Sequence, residues 1–131
     1  MSEEIQVSVD TPIIVSRSKG WHWYPSIRRI RDGSLLLTFS IMADAMPESI
    51  VTPHHVMVRS TDGGVSWYFH RYLYFPLVVA GDAHVCTQLS DGTVIELANN
   101  VHTVGEDNLY VPYYKSEDDG KTFSGPYEAS V

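Results

Sequence analysis

The chain has 131 residues, 44% of them apolar and 19% charged. That suits one domain with a packed core and excludes a disordered chain. The net charge of -7 and pI of about 5.2 argue against nucleic acid and anionic membrane surfaces as partners. No apolar run approaches the roughly 20 residues of a membrane span, and a single cysteine, Cys86, leaves no internal disulfide and no cysteine-built zinc site.

The acidic start "MSEEIQVSVD" is the opposite of a secretory signal. It points to the cytoplasm, or to secretion if a longer precursor exists. The segment "IQVSVDTPIIVS" (5–16) reads as an unpaired strand. From there the pattern is short strands bounded by turn residues: "SLLLTFSIM" (34–42), "HVMVRS" (55–60), "SWYFHRYLYF" (66–75), "TVIELA" (93–98) and "LYVPYY" (109–114). No window keeps a helical period over three turns. Asp-Gly falls between apolar runs at 32–33, 62–63, 91–92 and 119–120, the strongest short hairpin signal. Pro112 removes a ladder donor inside the last of these strands. Cys86, among apolar neighbours, reads as a small core residue.

The turns are ordered as a repeat. "SIRRIRDGSLLLTFS" (26–40) lies over "HVCTQLSDGTVIELA" (84–98) so that Asp32-Gly33 falls on Asp91-Gly92, 59 residues on. The pattern Ser60-x-Asp62-x-Gly64-x-Ser66-Trp67 returns 56 residues later as Ser116-x-Asp118-x-Gly120-x-Thr122-Phe123. Each unit is strand a, Asp-Gly turn, strand b, long loop, strand c, Ser-x-Asp hairpin, strand d. Repeated four-stranded meanders are the blades of a β-propeller.

Folding accounts for each residue type in the repeated pattern. The aspartate accepts backbone N–H bonds across a tight turn. The glycine takes positive φ. The hydroxyl closes the turn, and the aromatic ring packs beneath it.

A meander blade alternates its turns between two ends. The Asp-Gly turns and the Ser-x-Asp hairpins mark one end, so residues 16–24, 41–55, 76–84 and 99–108 make the other. Five of the six histidines, His22, His54, His55, His84 and His102, fall there, with Asp44, Glu48, Asp82, Glu106, Asp107, Trp21, Trp23 and Tyr24. Loops at one end of a rigid scaffold are where sites form. Aromatics stack on sugar faces, carboxylates accept hydroxyl protons, and histidine moves a proton near neutral pH. Carbohydrate is the expected ligand. His22 and His84 stand close to the expected central axis. His54 and His55 are strand neighbours that point opposite ways, so one of them faces a cleft. No His-x-His or His-x₃-His spacing supports a metal, and no cofactor is expected.

The two boxes, with "YPSIRRIRDGSLL" and "STDGGVSW", resemble the Asp-box (BNR) repeats of the sialidase (neuraminidase) superfamily over about residues 22 to 126. The resemblance implies an all-β propeller of the six-bladed type. About two blades are present: blade 1 at 22–75, blade 2 at 84–126, the loose strand at 5–16, all within one partial domain, 1–131. It places the boxes on the face away from the active site. It draws an aspartate acid/base from the first b–c loop, which makes Asp44 the candidate, beside His22, His84 and His55. The alternation of turns already puts Trp23, Tyr24, Arg17 and Asp82 at the loop end, as candidates for the substrate side. The resemblance also implies three arginines holding a substrate carboxylate, since guanidinium forks suit that task. The chain departs there. "HWYPSI" keeps the proline of the first arginine's motif without the arginine, "SIMADA" stands where the second would be, and Arg28, Arg29 and Arg31 point to the box end.

The resulting expectation is a carbohydrate-active propeller, part of an exo-sialidase-like glycoside hydrolase whose active site is incomplete in this chain. Two alternatives stand beside it: a propeller lyase acting on uronate polysaccharides with His22, Tyr24 and His84, and a non-catalytic carbohydrate-binding scaffold. A propeller closes only with about four blades or more. Either the remaining blades follow in cis, or three copies assemble as a homotrimer.

Overall fold

The computed structural model describes residues 8–17, 21–42, 54–73, 84–98, 102–104 and 108–130. Nine strands fall among them: β1 (Trp21–Arg29), β2 (Leu35–Met42), β3 (His54–Ser60), β4 (Tyr68–Leu73), β5 (His84–Gln88), β6 (Val94–Ala98), β7 (His102–Val104), β8 (Asn108–Ser116) and β9 (Ser124–Ser130). The first sheet has the order β1-β2-β3-β4, and all its pairs are antiparallel. The second runs β5-β6-β8 with β9 on the far edge of β8. Each is the expected four-stranded meander.

The Asp-Gly turns join a to b in both units by the same bonds. Ile30 N donates to Ser34 O and Leu89 N to Thr93 O, each at 2.8 Å. Gly33 and Gly92 hold φ of 88° and 98°, the left-handed region that a side chain strains. The repeat also holds in register. Arg28 pairs Leu36 as Thr87 pairs Ile95, and Leu36 pairs Arg59 as Ile95 pairs Lys115.

Blade 2 has one element that the pattern did not announce. β7 pairs residues 108–110 of β8, extending that strand as a hairpin beyond its pairing with β6. Pro112 sits in the gap between the two pairings, where the ladder on that edge is already interrupted. Residues 8–16, the described part of the segment read as an unpaired strand, pair with neither sheet.

Strand alternation sends Leu36, Met57 and Leu73 of the first sheet, with Ile30, onto Cys86, Val94 and Tyr114 of the second. Burying each of the larger side chains contributes roughly 1.5–3 kcal/mol. This seam is the core, and Cys86 lies in it as expected. The opposite face of blade 1 carries Phe39, Val56 and Val58, with Val15 of the N-terminal segment packed on them.

Both boxes close as their residues require. Asp62 accepts the Ser66 amide at 2.9 Å and the Ser60 hydroxyl at 2.8 Å, and the Gly64 amide donates to Ser60 Oγ at 2.8 Å. The Trp67 indole N–H donates to the Gly64 carbonyl at 2.9 Å. In the second box Asp118 accepts the Thr122 amide at 2.8 Å and the Ser116 hydroxyl at 2.7 Å, while Gly120 N donates to Ser116 Oγ at 2.8 Å. Phe123 packs on the seam core. The Ser66 hydroxyl, then its amide, hold the Asp62 carboxyl down to about 2. The Thr122 hydroxyl and amide hold Asp118 lower still.

Candidate functional site

The two ends of the seam differ in chemistry, because strand alternation carries different side chains into each. At the box end Arg59, almost fully buried, meets Asp32 at 2.6 Å and donates to the Asp119 carbonyl at 3.1 Å. Burial opposes ionisation of Asp32, but the Ser34 hydroxyl and amide and the Arg59 charge outweigh it and lower its pKa. Arg31 crosses to the Ser90 carbonyl at 2.9 Å and Arg71 to the Phe123 carbonyl at 3.2 Å. His70 Nε2 meets the Gly120 carbonyl at 2.8 Å. These contacts lock blade 1 to blade 2, and they place Arg31 at the box end as its sequence position required.

Towards the loop end the seam holds Thr38, Ser40, His55 and Glu96. Ser40 and His55 are paired residues of β2 and β3, and Ser40 Oγ and His55 Nδ1 hydrogen-bond at 3.0 Å. Two residues along β2, Thr38 faces Glu96 of β6, a fully buried carboxylate. The Thr38 hydroxyl and the Cys86 thiol lie beside it, but none of these groups meets hydrogen-bond geometry with Glu96. Burial therefore pushes the Glu96 carboxyl up to about 8. Burial likewise pushes up the Cys86 thiol, with the neighbouring Glu96 adding to it.

The predicted site residues divide between the two faces of blade 1. His22 pairs Ile41 and packs a tilted ring against Phe39 with ring centroids 5.2 Å apart, and Ser16 Oγ lies 3.2 Å from its Nε2. It is exposed, on the face away from blade 2. His55 is on the seam face and only 3% exposed. The pair are thus not brought together. Tyr24 is exposed beside His22 at a register shift of β1, held at φ 51°, a strained conformation for a bulky residue. Arg17 is exposed just after Ser16. Of Trp23 and His84 the structure describes strand position only, opposite Ser40 and Ala98. Asp44 and Asp82 lie outside the described residues. Among the described residues no cluster of His, Cys, Asp or Glu could hold a metal.

Sequence reading did not single out Glu96. A signal was present: in "TVIELA" it has the strand phase of Val94, a core position, and the repeat places Leu37 there in blade 1.

No family model matches the chain, and no curated protein matches it. Solved structures do. The GH93 α-L-arabinofuranosidase of Fusarium graminearum in complex with arabinobiose matches at 19% identity and TM-score 0.58, over 86% of this chain and 33% of that one. The Penicillium chrysogenum α-L-arabinanase complexed with arabinobiose matches at 19% identity and TM-score 0.54, over 79% and 30%. A Hadza microbial sialidase matches at 18% identity and TM-score 0.61, over 82% and 25%. The chain spans about a third or less of the length of these structures. At such identities what is shared is the fold: all-β meander blades of a β-propeller.

Proposed function

We propose that these blades belong to a carbohydrate-active propeller of the glycoside hydrolase class, with the sugar site at the loop end. One observation carries the reading: the loop end of a fold shared with an arabinanase and an arabinofuranosidase in complex with arabinobiose presents an exposed His22 beside an exposed, backbone-strained Tyr24. Strain of this kind concentrates at ligand sites, and an exposed aromatic beside a histidine suits stacking on a sugar and moving a proton. Fold alone does not choose the sugar, so arabinose-containing, sialic-acid-containing and uronate-containing oligosaccharides are all candidates. Asp44, His84 and Asp82 complete the proposed site.

A panel of these three classes, titrated into the protein by calorimetry, tests the proposal. Binding to one class, lost in His22→Ala and Tyr24→Ala with the fold retained, supports it. Binding to none of them, in any assembly state, overturns it. Turnover then sorts hydrolysis from elimination, because only a lyase leaves an absorbing unsaturated uronate. Binding with no turnover identifies the scaffold alternative.

A further inference from the structure

The repeat makes a quantitative comparison of the two blades possible. Blade 1 buries Ile30, Leu36, Met57 and Leu73 against blade 2, each 3% exposed or less. Moving 59 residues on from strands a and b, and 56 on from c and d, these positions become Leu89, Ile95, Tyr113 and Ala129. With Thr87 and Leu97, these same four line an open apolar hollow of about 260 Å³ on the outer face of blade 2. Leu89 is 42% exposed where Ile30 is 2%. Blade 2 thus repeats the apolar socket that blade 1 offers its neighbour, and nothing among the described residues fills it.

The matching plug is at the other end of the same chain. Blade 2 meets blade 1 through Cys86, Val94, Tyr114 and Gly120, the last so close that an added Cβ would stand 2.6 Å from Leu36 Cδ1. Their equivalents in blade 1 are Ile27, Leu35, Val58 and Gly64, on the face away from blade 2. Ile27 is 59% exposed where Cys86 is 5%, whereas Leu35 and Val58 are already buried within the copy, Val58 in the cluster that Val15 covers, so Ile27 is the open part of the plug. Phe69 and Tyr72, their rings tilted against each other 4.8 Å apart, are exposed on that face too.

We infer that the hollow on blade 2 receives blade 1 of a second copy of this chain, head to tail, repeating between copies the seam that joins the two blades within one. Three observations favour a copy as the occupant. The interface continues an existing one residue for residue. The cation of the box end is kept, since Lys115 stands in the place of Arg59 and Asp91 in that of Asp32. The ill-matched contact of the internal seam among the described residues, Thr38 facing Glu96, becomes Leu97 facing Leu37, an apolar pair. A contact between two different surfaces builds a ring when its rotation closes. Three copies of two blades close one of six.

Light scattering after size exclusion tests this on the whole chain. The wild type is expected at three times 14.7 kDa. Leu89→Asp breaks the socket and Ile27→Asp the plug; both sites are well exposed, so each variant keeps its strand signal by circular dichroism. Each alone is expected as a monomer, a threefold loss of mass. An equimolar mixture is expected to form a one-to-one dimer, because one intact socket meets one intact plug. A monomeric wild type overturns the inference and assigns the hollow to another occupant, such as further blades of a longer chain. Variants that stay trimeric, or a mixture that stays monomeric, overturn it as well.

Discussion

The seam between the blades is polar at both ends, yet only one end is stabilised by its polarity. At the box end Arg59 is buried but meets a carboxylate and a backbone carbonyl, and Asp32 keeps access to water. Near the loop end Glu96 is as deeply buried, with neither charge nor hydrogen bond to offset it. An ionised group in a dry interior is costly unless paired. The same residue class therefore supports the seam at one end and opposes it at the other, and the difference lies in partners within reach.

The largest expected effect comes from removing the good partner. Arg59→Ala opens a cavity in the buried seam and strips Asp32 and the Asp119 carbonyl of their donor, and should cost about 3 kcal/mol, read by urea denaturation at neutral pH. The next concerns Glu96. Its pKa is raised in the folded state, so the folded protein holds a proton that the unfolded chain releases. Stability is then fully present below about 4.5 and lost as pH rises through about 8. Glu96→Gln should abolish that loss, leaving the variant about 2–4 kcal/mol more stable than wild type above pH 8. A wild-type curve that is flat from pH 5 to 9 would refute the assignment.

The boxes permit a finer test. Gly64 and Gly120 both hold positive φ, 98° and 73°, but only Gly120 is pressed against Leu36. Gly120→Ala should cost about 2 kcal/mol and Gly64→Ala about 1 kcal/mol in the unassembled chain. The smallest effect has the opposite pH sign to that of Glu96. Asp62 has a lowered pKa, so its contribution is present above about 3.8 and lost as pH falls through about 2. Asp62→Asn should raise the midpoint of acid unfolding slightly and leave the alkaline limb unchanged.

Much of the architecture was legible because it is written in local, short-range chemistry. Asp-Gly needs a neighbour only two residues away, a box needs residues only six or seven apart, and alternation sets which side chains share a face. The strands flanking both boxes and both Asp-Gly turns followed from these alone. β7 did not, since "HTV" is too short to declare itself and forms only by pairing with the far end of β8. The site was less legible still. Loop-end position grouped His22 with His55, but it could not say that one faces the seam and the other the outer surface, because that depends on the register of β1, β2 and β3.

By itself, then, the sequence determined the blade, its turns and its repeat. Only the tertiary structure decided what each blade face meets. A strand's alternation separates two faces, but whether a face is core or surface depends on a second sheet. That is why Ile30 and Leu89, equivalent in sequence, are buried and exposed, and why a glutamate at a core position is uncharged in the seam rather than ionised in water.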